Sequence, residues 1–219
     1  MQAVLFDFDG TLIDSESVWL GAERQLLLER GQCLRPDDEA ALIGLDALSV
    51  VEWLRQRYEL DESAQALRFE LLELVALRQH QASVMPGAEA LLSWLESRRI
   101  PKVIVSNSEV ALVRTCLERL GWSERFGDVI GVNNVANPKP HPAPYRLALH
   151  RLGLPASACV ALEDSAAGAS SAFRAGIPVL GIQQKNGLRS PLLRSCCTAL
   201  LEDLGDAKSW IERRLLVTR

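Results

Sequence analysis

The sequence predicts an α/β protein: a parallel sheet covered by helices on both faces, with a small helical segment inserted after the first strand. Three observations predict it. An apolar run, Ala3-Val4-Leu5-Phe6, leads into carboxylates and Gly10, as a buried strand ending in a turn does. From residue 88 onward, helical and strand-like stretches alternate, the rhythm of a parallel sheet. Between Ser15 and Ser83 no strand pattern occurs, only helical spacing.

The elements follow in order. Ser15 or Ser17 can cap a first helix, with Glu16 in its first turn and Gly31 closing it after Arg30. Trp19, Ala22, Leu26 and Leu27 fall near one face of it. Pro36 with Asp37, Asp38 and Glu39 opens a second helix that ends near Gly44. A third runs over 46–58 on Val50, Val51 and Leu54, and a fourth over 62–81 on Leu67, Leu71, Leu74 and Leu77. Met85-Pro86-Gly87 is the return linker. Helices are then expected at 88–98, 109–120, 141–152, 166–175 and 207–216, and strands at 102–106, 128–131, 159–162, 178–182 and 198–201. The expected domains are a core of residues 1–14 and 84–219 and a helical cap of 15–83.

Composition narrows the function classes. A net charge of −4 argues against a general nucleic-acid binder, whose footprint is a basic face. No apolar run approaches the roughly 18 residues that span a bilayer, so no membrane partner is expected. The N-terminus enters the first strand at once, without the basic segment of a signal peptide. Cys33, Cys116, Cys159, Cys196 and Cys197 form no CxxC and are odd in number, which suits reduced thiols and a cytoplasmic location. Three scattered histidines make a His-rich zinc site improbable.

Polar residues end three of the expected strands: Asp7 and Asp9, then Ser106 and Asn107, then Glu163 and Asp164. In open parallel sheets ligands bind at such strand ends, where the winding direction reverses. Two carboxylates at the end of a buried strand are costly without a nearby cation. Asp7 can attack phosphorus, and Asp9 suits general acid–base work if it lies within reach of the leaving oxygen. Glu163 and Asp164 add oxygen ligands, a donor set that fits Mg²⁺ better than zinc. Ser106, Asn107 and Lys139, the last on the stiff Asn137-Pro138-Lys139-Pro140 loop, can neutralise a transferring phosphoryl group. Singly, each of these is more often a cap or a solvated loop residue. All four in this order, each at an expected strand end, make coincidence improbable.

These motifs resemble those of the haloacid dehalogenase superfamily of phosphotransferases, in particular the phosphatases and phosphomutases related to beta-phosphoglucomutase. Asp7-Phe8-Asp9-Gly10-Thr11-Leu12 resembles the first motif and Val105-Ser106-Asn107 the second. Lys139-Pro140 resembles the third, and Glu163-Asp164-Ser165-Ala166-Ala167-Gly168 the fourth. The resemblance implies a Rossmann-like core with a cap that closes over the substrate. It implies that Asp7 forms an aspartyl-phosphate, and that Asp9 protonates the leaving alcohol and then activates water. It implies Mg²⁺ held by Asp7, the Asp9 main-chain carbonyl and Asp164, with Glu163 close by. Ser106 and Lys139 would assist catalysis, and Gly10, Thr11, Glu16, Gly44, Ser106, Asn107 and Lys139 would contact the substrate. The partner implied is a small phosphorylated metabolite, and the chain is expected to be a monomer or a weak homodimer.

Three positions depart from relatives. Ala143 stands where many carry Asp near the motif lysine, and Trp19 stands where the mutases carry His. After Gly44 come Leu45, Asp46, Ala47 and Leu48, with no Arg to grip a second phosphate. The two cap departures favour hydrolysis of a sugar phosphate over mutase chemistry. A phosphosugar mutase and an idle phospho-ligand binder are the alternative readings.

Overall fold

The computed structural model describes residues 1–183 and 191–217. Residues 184–190 and 218–219 of the expected core lie outside them. Strand β1 (Ala3–Phe6) is followed by the short β2 (Ile13–Asp14) and then four helices: α1 (Glu16–Leu28), α2 (Pro36–Leu42), α3 (Ala47–Tyr58) and α4 (Ala64–Arg78). The chain returns through β3 (Ser83–Val84) to α5 (Ala88–Ser97), β4 (Lys102–Val105), α6 (Val110–Arg119) and β5 (Asp128–Ile130). It then runs through α7 (Ala143–Leu152), β6 (Cys159–Glu163), α8 (Ala166–Arg174), β7 (Val179–Ile182), α9 (Pro191–Cys196), β8 (Ala199–Leu201) and α10 (Leu204–Val217).

Six strands form one parallel sheet in the order β5-β4-β1-β6-β7-β8. β1 lies in the middle, and the chain builds first toward β5 and then toward β8. The winding therefore reverses at β1, which puts a crevice at its carboxyl end. Alternate β1 residues feed two separate cores, as a period of two requires. Val4 and Phe6 join the side-chain cluster containing Ile104, Val160, Leu162 and Leu180. Ala3 and Leu5 join the cluster on the other face, with Val103, Ala161, Ala169 and Tyr145.

The helical insertion is tied to the sheet by an antiparallel ribbon in which Ile13 pairs with Val84 and Asp14 with Ser83. This ribbon is absent from the sequence reading, which found no strand up to Ser83. A two-residue strand carries no readable period. Two further expectations are corrected. Leu77 is 71% exposed, and the buried α4 residues are Leu67, Leu71 and Val75. At about 100° per residue, Leu77 lies about 80° off the face that Leu67 sets. On α1 the core position belongs to Val18, and Trp19 is only half-buried. Helix α9 was not anticipated.

Glu23 is 4% exposed on the buried face of α1, beside Ala22 and Leu26. Burial, reinforced by Glu39 and opposed by Arg24, pushes its carboxyl from 4.5 up to about 7. The folded state thus holds a proton that the unfolded chain releases. The stability this confers is full below pH 4.5 and is lost as pH rises through 7. Glu23→Gln should therefore raise Tm by several degrees at pH 8, for a relief on the order of 1–3 kcal/mol, and change it little at pH 5. Equal shifts at the two pH values in thermal melts would refute this assignment.

Candidate active site

The carboxyl end of β1 carries Asp7. Its backbone N–H donates to Leu162 O (2.9 Å), which sets Asp7 beside the end of β6. Glu163, the last residue of β6, is completely buried, and Asp7 is 6% exposed. Lys139, in the loop before α7, reaches into the gap between them. Its Nζ donates to Asp7 Oδ1 (2.7 Å) and to Glu163 Oε1 (2.6 Å). Tyr145 of α7 also donates its hydroxyl to Glu163 Oε1, and the Lys139 ammonium lies 5.4 Å from the Tyr145 ring centre.

Asp164 completes the cluster. Ligand oxygens of Asp7, Glu163 and Asp164 all lie within 4.8 Å of one another. Burial comes first in raising each of the three carboxyls; repulsion from Asp9 adds to it at Asp7, from Asp7 at Glu163, and from Asp7 and Glu163 at Asp164, and Glu163 is pushed up to about 8. Burial opposes the charge on Lys139, but Asp7 and Glu163 outweigh it and hold the ammonium well above its ordinary range. Three carboxyls thus face one ammonium. Such an all-oxygen set, short of positive charge, is what a hard divalent cation fits.

Asp9 turns the other way. Gly10, with φ of 79°, makes the turn, and Gly10 N–H donates to Ile13 O (2.7 Å). Asp9 Oδ1 accepts from Ser15 Oγ (2.6 Å) and from the Trp19 indole N–H (3.4 Å). Asp9 Oδ2 accepts from Ser108 Oγ (2.6 Å) and Ser106 Oγ (3.3 Å). Ser15 does stand at the N-cap of α1, but its hydroxyl is spent on Asp9 and makes no cap bond. Thr11 Oγ1 is buried with no hydrogen-bond partner among the described residues.

Asn107 and Gly44 meet at the same edge. The Asn107 carboxamide brackets Lys139, accepting from Lys139 N (3.0 Å) and donating to Lys139 O (3.2 Å). It also donates to Gly44 O (3.3 Å), a link from the insertion to the sheet. Gly44, with φ of 78°, packs so close that a Cβ would meet Ser165 Cβ at 3.1 Å. Lys139 is therefore positioned without a carboxylate at Ala143. Glu16 is exposed in the first turn of α1 and is not brought to these groups. Tyr145 and Ser108 are not among the residues expected from the sequence, nor is the grip of Ser15 and Trp19 on Asp9. Ser108 could have been found as the next hydroxyl after Ser106-Asn107; Tyr145, in the second core cluster, gives no such signal.

Comparison with known proteins gives the family and supports the fold. The sequence model of the haloacid dehalogenase-like hydrolases matches residues 1–176. The chain belongs to this family. A phosphoglycolate phosphatase of Xanthomonas campestris pv. campestris is 35% identical to the hydrolase over 182 residues, covering 81% of this chain and 80% of the relative. Hexitol phosphatase A of Escherichia coli is 34% identical over 186 residues, with 81% of each chain covered. In fold the hydrolase resembles beta-phosphoglucomutase from Clostridium difficile, with a TM-score of 0.85, 20% identity and complete coverage of both chains. CbbY from Rhodobacter sphaeroides, solved with phosphate, has a TM-score of 0.82 at 21% identity and covers 94% of this chain and 96% of its own. The hydrolase is a phosphoric monoester hydrolase.

Gly168 in α8 shows how tightly Glu163 is held. A methyl group there would collide with the Glu163 carboxylate, whose other side is fixed by Lys139 and Tyr145. Gly168→Ala should lower kcat/KM on a phosphomonoester by about 10²-fold and lower Tm as well. Undiminished turnover would show that Glu163 can retreat without disturbing Lys139.

Proposed function

We propose that the hydrolase is a Mg²⁺-dependent phosphatase that cleaves a small sugar or polyol phosphate through an aspartyl-phosphate on Asp7. The observation that carries this reading is the pairing of two carboxylates with opposite surroundings. Asp7 sits in the charged cluster with Lys139, while Asp9 is gripped by four hydrogen-bond donors two residues away. Environments that differ in this way suit different roles in one reaction.

The Lys139 ammonium fixes the rotation of the Asp7 carboxylate. An Asp7 oxygen bonds to phosphorus as the bond from phosphorus to the leaving alkoxide breaks. Asp9 gives its proton to that alkoxide. Asp9 then takes a proton from water, whose oxygen bonds to phosphorus and releases the Asp7 carboxylate and inorganic phosphate. Ser106 and Lys139 stabilise the phosphoryl oxygens, and Asn107 keeps the lysine loop in place. Gly10 and Thr11 shape the turn beneath the phosphate, and Gly44 borders the leaving group. The residues that would hold Mg²⁺ are Asp7, Asp164 and the Asp9 main-chain carbonyl, with Glu163 close by. When bound, the ion supplies positive charge against the phosphoryl oxygens.

Residues 15–83 serve as a cap over the core of 1–14 and 84–219, excluding water and choosing the leaving group. The β2–β3 ribbon and the Asn107–Gly44 contact support that reading. The five free cysteines support a reducing compartment, the cytoplasm. No helix among the described residues is long and apolar enough to cross a membrane.

Release of inorganic phosphate from a panel of sugar phosphates, polyol phosphates and phosphoglycolate tests the proposal. Asp7→Asn should reduce turnover at least about 10³-fold with the circular dichroism spectrum intact, and Asp9→Asn roughly 10²- to 10⁴-fold. Substantial Mg²⁺-dependent turnover by Asp7→Asn would exclude the covalent route.

A further inference from the structure

A cavity of about 230 Å³ opens between the insertion and the carboxyl edge of the sheet. It shares Trp19, Asn107 and Ser108 with the site described above and so adjoins it. Its charged lining consists of Asp46, Arg68 and Glu109. Asp46 is spent on capping α3: Oδ1 accepts from Leu48 N (3.0 Å) and Ser49 N (3.2 Å), and Oδ2 from Ser49 Oγ (2.6 Å). Its charge lies against the positive end of that helix. Among the described residues Arg68 of α4 is the only cation in the lining, and its guanidinium donates to Glu109 Oε1 at the N-cap of α6. Both side chains are largely shielded, at 30% and 25% exposure.

We infer that the Arg68–Glu109 pair sets the charge preference of the leaving group, and that this pocket takes an uncharged, hydroxylated one. The inference rests on the phosphatase reading and deepens it. Arg68 is the group that would grip a carboxylate or a second phosphate on the substrate. Glu109 already occupies it. An anionic leaving group must displace Glu109, which breaks the ion pair, or sit beside its charge in a partly desolvated pocket, which costs like-charge repulsion. A polyol meets no such penalty, and the Gln65 and Asn133 amides in the wall suit its hydroxyls. Glu109 thus acts as a built-in competitor for anions.

The test measures kcat/KM for phosphate release from sorbitol 6-phosphate and from 2-phosphoglycolate, in the wild type and three variants. The wild type should prefer sorbitol 6-phosphate. Glu109→Gln frees Arg68 and should raise the ratio of anionic to neutral substrate about tenfold. Arg68→Gln leaves Glu109 unopposed and should lower that ratio. The exchanged pair, Arg68→Glu with Glu109→Arg, should return it to the wild-type value. A pair that merely fastens the insertion to the core would depress both substrates alike and leave the ratio fixed, which overturns the inference. A wild-type preference for 2-phosphoglycolate, or ratios that move together in the two single variants, overturns it as well. If Asp7→Asn retains the activity, the phosphatase reading falls and the inference with it; if Asp7→Asn is dead while the ratios stay put, only the inference falls.

Discussion

One buried ammonium holds the carboxyl edge of the sheet together. Lys139 is 5% exposed and bonds Asp7 from β1's end and Glu163 from β6's end at once. Removing one member of a buried pair strands the other's charge at a cost of about 3–5 kcal/mol. The sheet order makes the arrangement possible, because β1 and β6 are neighbours and end at the same level. Tyr145 and Asn107 then hold the lysine and its partner from α7 and from the loop after β4. With three carboxyls and one ammonium, the cluster is short of positive charge. That shortage is what makes it suited to a divalent cation and to the phosphate that accompanies one.

The helical insertion makes several polar contacts with the core, and three of them lie beside the site and its cavity. Ser15 and Trp19 supply two of the four donors on Asp9, while Ser106 and Ser108 supply the others. Gly44 meets Asn107 beside the lysine loop. Arg68 meets Glu109 across the cavity. A displacement of α1 away from the sheet would take two donors from Asp9, so the hydrogen bonding of Asp9 is linked to the seating of the insertion.

Much of this was legible in the sequence, and the reason is periodicity. Each strand of the sheet is a short apolar run ending in polar or glycine residues, so β1, β4 and β6 announced both themselves and the residues at their ends. Asp7 and Glu163 converge because such strand ends share one edge, and the loop between β5 and α7 brings Lys139 to the same edge. What stayed hidden depends on contacts between distant segments. Tyr145 looks like any aromatic residue on an amphipathic helix, and only the fold aims its hydroxyl at Glu163. Arg68 and Glu109 are ordinary surface-type residues until the insertion is folded over the sheet. The β2–β3 ribbon is too short to show a period. Leu77 looked buried because a leucine stripe drifts off the packed face near a helix end.

The central claim is that the carboxylates of Asp7 and Asp164 are built to take a cation. Thermal unfolding at pH 7, with and without millimolar Mg²⁺, reads this directly and without turnover. A site occupied at 100 times its dissociation constant gains about 2.7 kcal/mol, roughly 5–10 °C in Tm for a chain of this size. The account predicts such a rise for the wild-type protein and its loss in Asp164→Asn. An unchanged Tm in the wild type, or the same rise in Asp164→Asn, would contradict it.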